Sequence, residues 1–198
     1  MFNKVTKSVR ILSAAGVEEA GSGHPGMPLG MADVGTVLYK KFLKVSNENP
    51  SWINRDRFIL SPGHGSMLLY SLLHLNGFDI SIEDLKNFRQ LKSKTPGHPE
   101  LDTSLGIDMT TGPLGQGFST GVGFALAERY LSELLGEDII NHFTYGIVSD
   151  GDLMEGVSFE AAELASVWKL GKLIYIFDDN NIPIDGRVTN VSSTDQKK

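Results

Sequence analysis

The stretch SDGDLMEG at residues 149–156, with DDNNIPIDG at residues 178–186, decides how this chain is read. Between Asp150 and Asn180 lie a helix-forming segment, residues 156–169, and a strand-forming segment, residues 172–178. Upstream, FTYGIV at residues 143–148 is rich in aromatic and β-branched residues, as is LIYIF at residues 173–177. Both have the character of buried parallel strands, so the segment reads as one βαβ crossover in an α/β fold. Each strand ends in an oxygen-rich turn. If the strands are neighbours, about 4.8 Å apart, Asp150 and Asn180 meet at one edge of the sheet.

That placement suits a divalent ion. Mg²⁺ takes oxygen ligands in an octahedron, usually one or two protein groups together with phosphate oxygens and water. A carboxylate, an amide oxygen and a backbone carbonyl fit this demand. Gly151 lets the backbone approach a phosphate, and the helix that follows points its amides toward the same place. Read separately, Asp150 is a helix cap and DDNN a polar turn. Read together on consecutive strand ends, they favour a metal-diphosphate site.

Outward from this segment, residues 5–20 are predicted as a first helix with Val9, Leu12 and Ala15/Gly16 on one face. Residues 27–42 read as a second helix, 58–60 as a short strand, 66–76 as a leucine-rich helix and 81–91 as a fourth. Ser81, Glu83 and Asp84 suit that helix's start, and Glu83, Asp84, Lys86 and Arg89 read as a solvated face. Residues 92–114 look irregular, and residues 117–135 form a long helix rich in small side chains. With 198 residues and 40% hydrophobic content, the chain allows one domain with a sizeable core. A net charge of −6 with scattered basic residues argues against a general nucleic-acid or membrane-surface binder. The absence of cysteine excludes disulfides, thiolate metal sites and a cysteine nucleophile. The first residues, MFNKVTKSVRIL, lack an apolar run long enough for a signal peptide or membrane span, so a cytoplasmic location is the default expectation.

Three histidines lie in Gly/Pro turns: His24 in SGHPG, His64 in SPGHGS and His98 in TPGHPE. Any one alone reads as an ordinary loop histidine; three in matched surroundings point to a shared cleft. Their spacings fit no compact zinc motif, whereas neutral imidazoles suit proton transfer near pH 7 and donation to hydroxyl, carbonyl or phosphate oxygens. TTGPLGQG, residues 110–117, keeps backbone available to a planar ligand, yet it matches neither a Walker loop nor a dinucleotide fingerprint. Glu155 reads as a first-turn acid that favours the helix dipole.

The DG-LMEG segment followed by DDNN resembles the thiamine diphosphate motif of transketolases, and the three histidine turns, TTGPLGQG, SWINRDRFILS, LLHLNGFD and LKNFRQL are similar to that family as well. The resemblance runs in unbroken motif order from Val9 to Gly186. It implies a three-layer, doubly wound parallel sheet of the thiamine diphosphate-binding kind. It also implies metal ligation by Asp150, Asn180 and the backbone of Ile182, with Mg²⁺ replaceable by Ca²⁺ or Mn²⁺. His64, with Ser66 in its turn, and Gly112, Pro113, Leu114, Gly151 and Asn180 would contact thiamine diphosphate, while His24 and His98 would contact the sugar. Glu155 would belong to an acidic network at the subunit interface. One departure is visible: the family usually has Gly where Ser149 stands.

The activity implied is transfer of a two-carbon ketol unit between sugar phosphates, for which the cofactor supplies the electron sink. A complete transketolase is roughly three times longer. The family's glutamate that activates the aminopyrimidine lies in a second, pyrimidine-binding domain absent here, so residues 1–198 are expected to be a thiamine diphosphate-binding domain cut short at its C-terminal end. Two versions of this expectation stand: an incomplete sequence of a transketolase, or an amino-terminal subunit that works with a separately encoded partner. A homodimer is the expected state of the full enzyme, and this chain alone is expected to be inactive. A non-catalytic binding module, or another thiamine enzyme such as dihydroxyacetone synthase or deoxyxylulose-phosphate synthase, is the alternative.

Overall fold

A computed structural model of the chain describes residues 2–180 together with Val188 and Ser192. Three strands form one parallel sheet: β1 (Arg57–Leu60), β2 (Thr144–Ser149) and β3 (Leu173–Asp178), in the order β1-β2-β3. The pairing sets Leu60 opposite Ile147 and Ser149 opposite Asp178, so all three strands reach the same edge at their carboxyl ends.

Helices cover both faces of this sheet, giving an α/β fold. Alternation along β2 shows how: Tyr145 and Ile147 enter one apolar cluster, and Val148 enters the other. The first cluster is built from α1 (Phe2–Ala20), α3 (Ala32–Val37) and α4 (Ser66–Leu75) over Phe58 and Leu60. The second joins α6 (Gln116–Leu135) and α8 (Gly156–Val167) to Leu173, Tyr175 and Phe177 of β3. Burying Met67, Leu68, Leu72 and Leu73 almost completely stabilises the first layer, at roughly 1.5–3 kcal/mol for each large side chain.

The helix α1 buries Thr6, Val9, Ser13 and Gly16. Ser13, rather than the expected Ala15, continues the stripe because its hydroxyl donates to the Met67 carbonyl at 3.2 Å. The helix expected at residues 27–42 is divided into α2 (Gly26–Gly30), α3 and a wider π-type turn, Leu38–Phe42. Pro28 and Gly30, both poor helix formers, sit in its first piece. The helix expected over residues 81–91 is also shorter: α5 spans Ile82–Lys86 after a capping box between Ser81 and Asp84. Left-handed backbone at Arg89 and Lys92 then turns the chain, and the Arg89 amide donates to the Thr95 carbonyl at 3.0 Å. The crossover after β2 contains a short α7 (Asp150–Met154) before α8.

Small residues in α6 determine how closely it packs. A Cβ on Gly117 would lie 2.5 Å from Ser61 Cα, and one on Gly121 would overlap the Tyr175 hydroxyl. Tyr175 crosses the sheet face over Gly146, and its hydroxyl donates to the carbonyls of Gly117 (3.1 Å) and Phe118 (2.8 Å). Among the described residues, no helix is long and apolar enough to cross a membrane.

Candidate functional site

The carboxyl edge of a parallel sheet is where α/β proteins place ligands, and the distinctive residues of this chain collect there. Asp150 begins α7 directly after β2, and its side chain is buried. Across the β2–β3 boundary the backbone N–H of Asn180 donates to Asp150 Oδ2 at 3.2 Å. The two ends of the expected metal motif, thirty positions apart in sequence, are therefore in contact. Asn180 Nδ2 also donates to Asp178 Oδ2 at 3.2 Å. Burial holds the Asp178 carboxyl above its usual range, the Asn180 bond opposes this, and the neighbouring Asp150 and Asp179 carboxylates add to the rise. An edge this acidic, with hard oxygen donors, suits a divalent cation. Ile182, the third expected ligand, lies outside the described residues, as does Gly186 at the motif's end.

The three histidine turns meet around the TTGPLGQG loop. The His24 and His64 rings contact edge to face, with centroids 5.1 Å apart. A Cβ on Gly63 would fall within 3 Å of Thr111 and the Gly112 amide, so the His64 turn lies against this loop. From the other side, the His98 ring approaches Gly112 within 3.6 Å of where a Cβ would stand. Ser66 supports both turns: it follows His64 at the start of α4, and its hydroxyl donates to the Gly97 carbonyl at 2.9 Å. Tyr70, one turn further along, donates to Pro96 O at 2.9 Å. Burial lowers the His64 pKa below the ordinary value, with His24 adding to the fall, Asp152 opposing it and His98 adding slightly; His98 is lowered by burial, then by Arg89 and His24. These shifts favour the neutral imidazole, the form suited to exchange a proton or hydrogen-bond an oxygen.

The segment that begins at Asp150 and the Gly-rich loop interlock. A Cβ on Gly151 would stand 2.9 Å from Leu114 Cδ1, and one on Gly115, at φ +79, would meet Glu155 and Ser158 below 3 Å. Pro113 is exposed, while Gly112 and Leu114 are half-buried. Glu155 is not a first-turn acid: it is the exposed, extended residue between α7 and α8, at φ −77, ψ 132.

Two residues take a place at the site that the sequence reading did not give them. Arg89 does not belong to a solvated helix face. It is half-buried, with its guanidinium 5.6 Å from the Phe88 ring centroid and Nε 3.0 Å from where a Gly97 Cβ would stand, so it lies beneath the His98 turn. Its left-handed backbone, not its sequence neighbourhood, puts it there. Asp152 is fully buried and hydrogen-bonded to three segments of the site. The pattern Ser149-x-x-Asp152 is a capping-box signature and was its available signal. Ser149, the departure from the family pattern, has an extended backbone open to any residue (φ −110, ψ 170), so the substitution leaves the local geometry undisturbed.

The family model described as the thiamine diphosphate binding domain of transketolase matches residues 2–198. The chain belongs to the transketolase family. It is 57% identical over 190 residues to the transketolase of Buchnera aphidicola, covering 94% of this chain and 29% of that protein. The crystal structure of the Campylobacter jejuni transketolase superposes with a TM-score of 0.95 at 52% identity, covering 99% of this chain and 31% of that one. A Pichia stipitis transketolase solved with sedoheptulose 7-phosphate superposes with a TM-score of 0.95 at 47% identity, over 99% of this chain and 29% of its own. This chain thus spans under a third of the transketolases it matches, and it corresponds to their thiamine diphosphate-binding domain.

Proposed function

We propose that this chain supplies the diphosphate and metal half of a transketolase active site. The observation that carries the proposal is the contact between the Asn180 amide and the Asp150 carboxylate at the joined ends of β2 and β3. Asp150 and the Asn180 side-chain oxygen, with the backbone of Ile182, hold Mg²⁺, for which Ca²⁺ or Mn²⁺ can substitute; Gly151 admits the diphosphate. His64, Gly112, Pro113 and Leu114 line the cofactor. His24 and His98 hydrogen-bond the sugar and carry protons to and from its oxygens. The bound thiamine diphosphate provides the electron sink for moving a two-carbon ketol unit. The substrate class is sugar phosphates, as in the Pichia stipitis complex.

The remaining half of the pocket comes from a pyrimidine-binding domain, in a longer polypeptide or a separate subunit, and the complete enzyme is a cytoplasmic homodimer with Glu155 in its interface network. Residues 1–198 then belong to one domain of that enzyme. Calorimetry of this chain with thiamine diphosphate, in Mg²⁺ and in EDTA, tests the anchor. Joining residues 1–198 to the remaining two-thirds of the Campylobacter jejuni transketolase tests the reaction. Metal-dependent binding and ketol transfer by the chimera are expected. In both settings Asp150→Ala removes the metal-dependent binding while the circular dichroism spectrum stays native. Unchanged affinity in Asp150→Ala would take Asp150 out of the site.

A further inference from the structure

A buried carboxylate with no role in the proposed metal and cofactor contacts gathers four donors from three segments of the site. Asp152 has 0% relative exposure. Its Oδ1 accepts from Ser61 Oγ at 2.7 Å and from the Gly115 N–H at 2.8 Å. Its Oδ2 accepts from the Ser149 N–H at 3.0 Å and from Ser149 Oγ at 2.9 Å. Its main-chain carbonyl accepts from Ser158 Oγ at 2.6 Å. Among the described residues, no lysine or arginine forms an ion pair with it. Among the described residues the carboxylate is anchored by these hydrogen bonds, so each donor must stay in register with it.

Those donors come from the turn after β1, the last residue of the Gly-rich loop before α6, and the end of β2. These same segments lead to the His64 turn, to residues 112–114 and to Asp150. Ser61 extends the network, since its Oγ accepts from the Phe118 N–H at 2.9 Å and so fixes the first turn of α6. Close packing seals the joint: Gly117 lies on Ser61, and Gly151 lies on Leu114. Ser149 gains a purpose here, because its hydroxyl supplies a donor that the family's usual glycine lacks.

We propose that Asp152 is a positioning residue that locks the loop at residues 112–115 to the ends of β1 and β2, so that loop and Asp150 meet a bound diphosphate cofactor as one fixed surface. For the identity of that cofactor it rests on the function proposed above. The carboxylate's two oxygens serve two sides of the joint. An asparagine in its place has one acceptor oxygen and satisfies either the Ser61 and Gly115 side or the Ser149 side, not both.

Hydrogen exchange by mass spectrometry on the 198-residue chain, with Asp152→Asn and the milder Ser61→Ala, measures the lock directly. Thiamine diphosphate affinity in Mg²⁺ is titrated in parallel. Loss of hydrogen bonds to a charged group should speed exchange at residues 115–119 by about ten- to a hundredfold in Asp152→Asn and weaken cofactor binding by a similar factor. Protection in α1 and α4 should stay at the parent level, which a general structural defect would not spare. Ser61→Ala keeps the carboxylate and should show the same local pattern at smaller size, and it decides the matter if Asp152→Asn does not fold. Unchanged exchange at residues 115–119, or loosening spread evenly over α1 and α4, overturns the proposal. If neither the parent chain nor the chimera binds thiamine diphosphate, the proposed function falls, while the exchange comparison still decides whether Asp152 is the lock.

Discussion

Alanine at Gly117 and alanine at Gly123 are the same chemical change in the same helix, α6, and their surroundings give them opposite signs. At Gly117 the new Cβ lies 2.5 Å from Ser61 Cα and 2.8 Å from both Ser61 Cβ and Oγ, atoms fixed to β1. Ordinary contact begins near 3.4 Å, so the first turn of α6 must retreat by about 0.9 Å. That retreat stretches the Phe118 N–H to Ser61 Oγ bond, now 2.9 Å. Overpacking of this kind costs about 1–3 kcal/mol and the weakened hydrogen bond about 1 kcal/mol, against a gain of about 1 kcal/mol in helix propensity. Net destabilisation of about 1–3 kcal/mol results. Gly123 is exposed, with nothing within 4 Å of the added carbon, so only the propensity gain of about 0.5–1 kcal/mol remains. Urea unfolding followed by tryptophan fluorescence and circular dichroism should place the Gly123→Ala midpoint above the parent and Gly117→Ala below it. With a slope near 2 kcal/mol per molar, the two variants should differ by roughly 1–2 M. A Gly117→Ala chain as stable as the parent would refute the close approach of α6 to β1.

His24→Ala in the chimera should lower ketol transfer while thiamine diphosphate affinity stays near the parent value; a selective loss of cofactor in calorimetry would reverse the assignment of His24. Asp108→Ala strands the buried Arg55 guanidinium that it pairs with and removes the acceptor of the Phe58 N–H. The expected loss is about 3–5 kcal/mol in urea unfolding, and a loss under about 1 kcal/mol would contradict the pairing. His142 is buried, its Nδ1 has no hydrogen-bond partner among the described residues, and burial, with Arg57, Arg55 and Lys172 nearby, lowers its pKa to about 4. Its folded pKa lies below its unfolded one, so its contribution is complete above about pH 6.5 and is lost as pH falls toward 4. His142→Phe should flatten the dependence of melting temperature on pH across that window; an equal slope in both proteins would show that His142 does not titrate this way.

Strand composition and the spacing of Asp150 and Asn180 made the parallel β2–β3 pair legible, because a buried strand needs a continuous apolar run and a strand end tolerates the acids. The histidine turns were equally visible, since Gly and Pro mark turns locally. What sequence did not reveal depends on distant neighbours. Met27 to Phe42 has helical periodicity throughout, yet the chain rearranges twice to seat Met31, Leu38 and Tyr39 in one core. Arg89 looked solvated because its helix was expected to continue, and one left-handed residue redirects it beneath His98. Asp152 has a local capping role that masks two tertiary bonds, to Ser61 and Gly115.

The order of strands across the sheet also orders the way the site is assembled. Because β2 and β3 are joined by one short crossover, their pairing closes a small loop and brings Asp150 to Asn180 early. β1 is adjacent to β2 in space but far from it in sequence, and Ser61 must dock across a long closure to reach Asp152. During synthesis the β1 segment therefore emerges well before either neighbour exists, and its apolar residues Phe58, Ile59 and Leu60 wait for a partner edge. By loop length alone, the Asp150–Asn180 end of the sheet is expected to form before the end that carries Ser61 and the His64 turn.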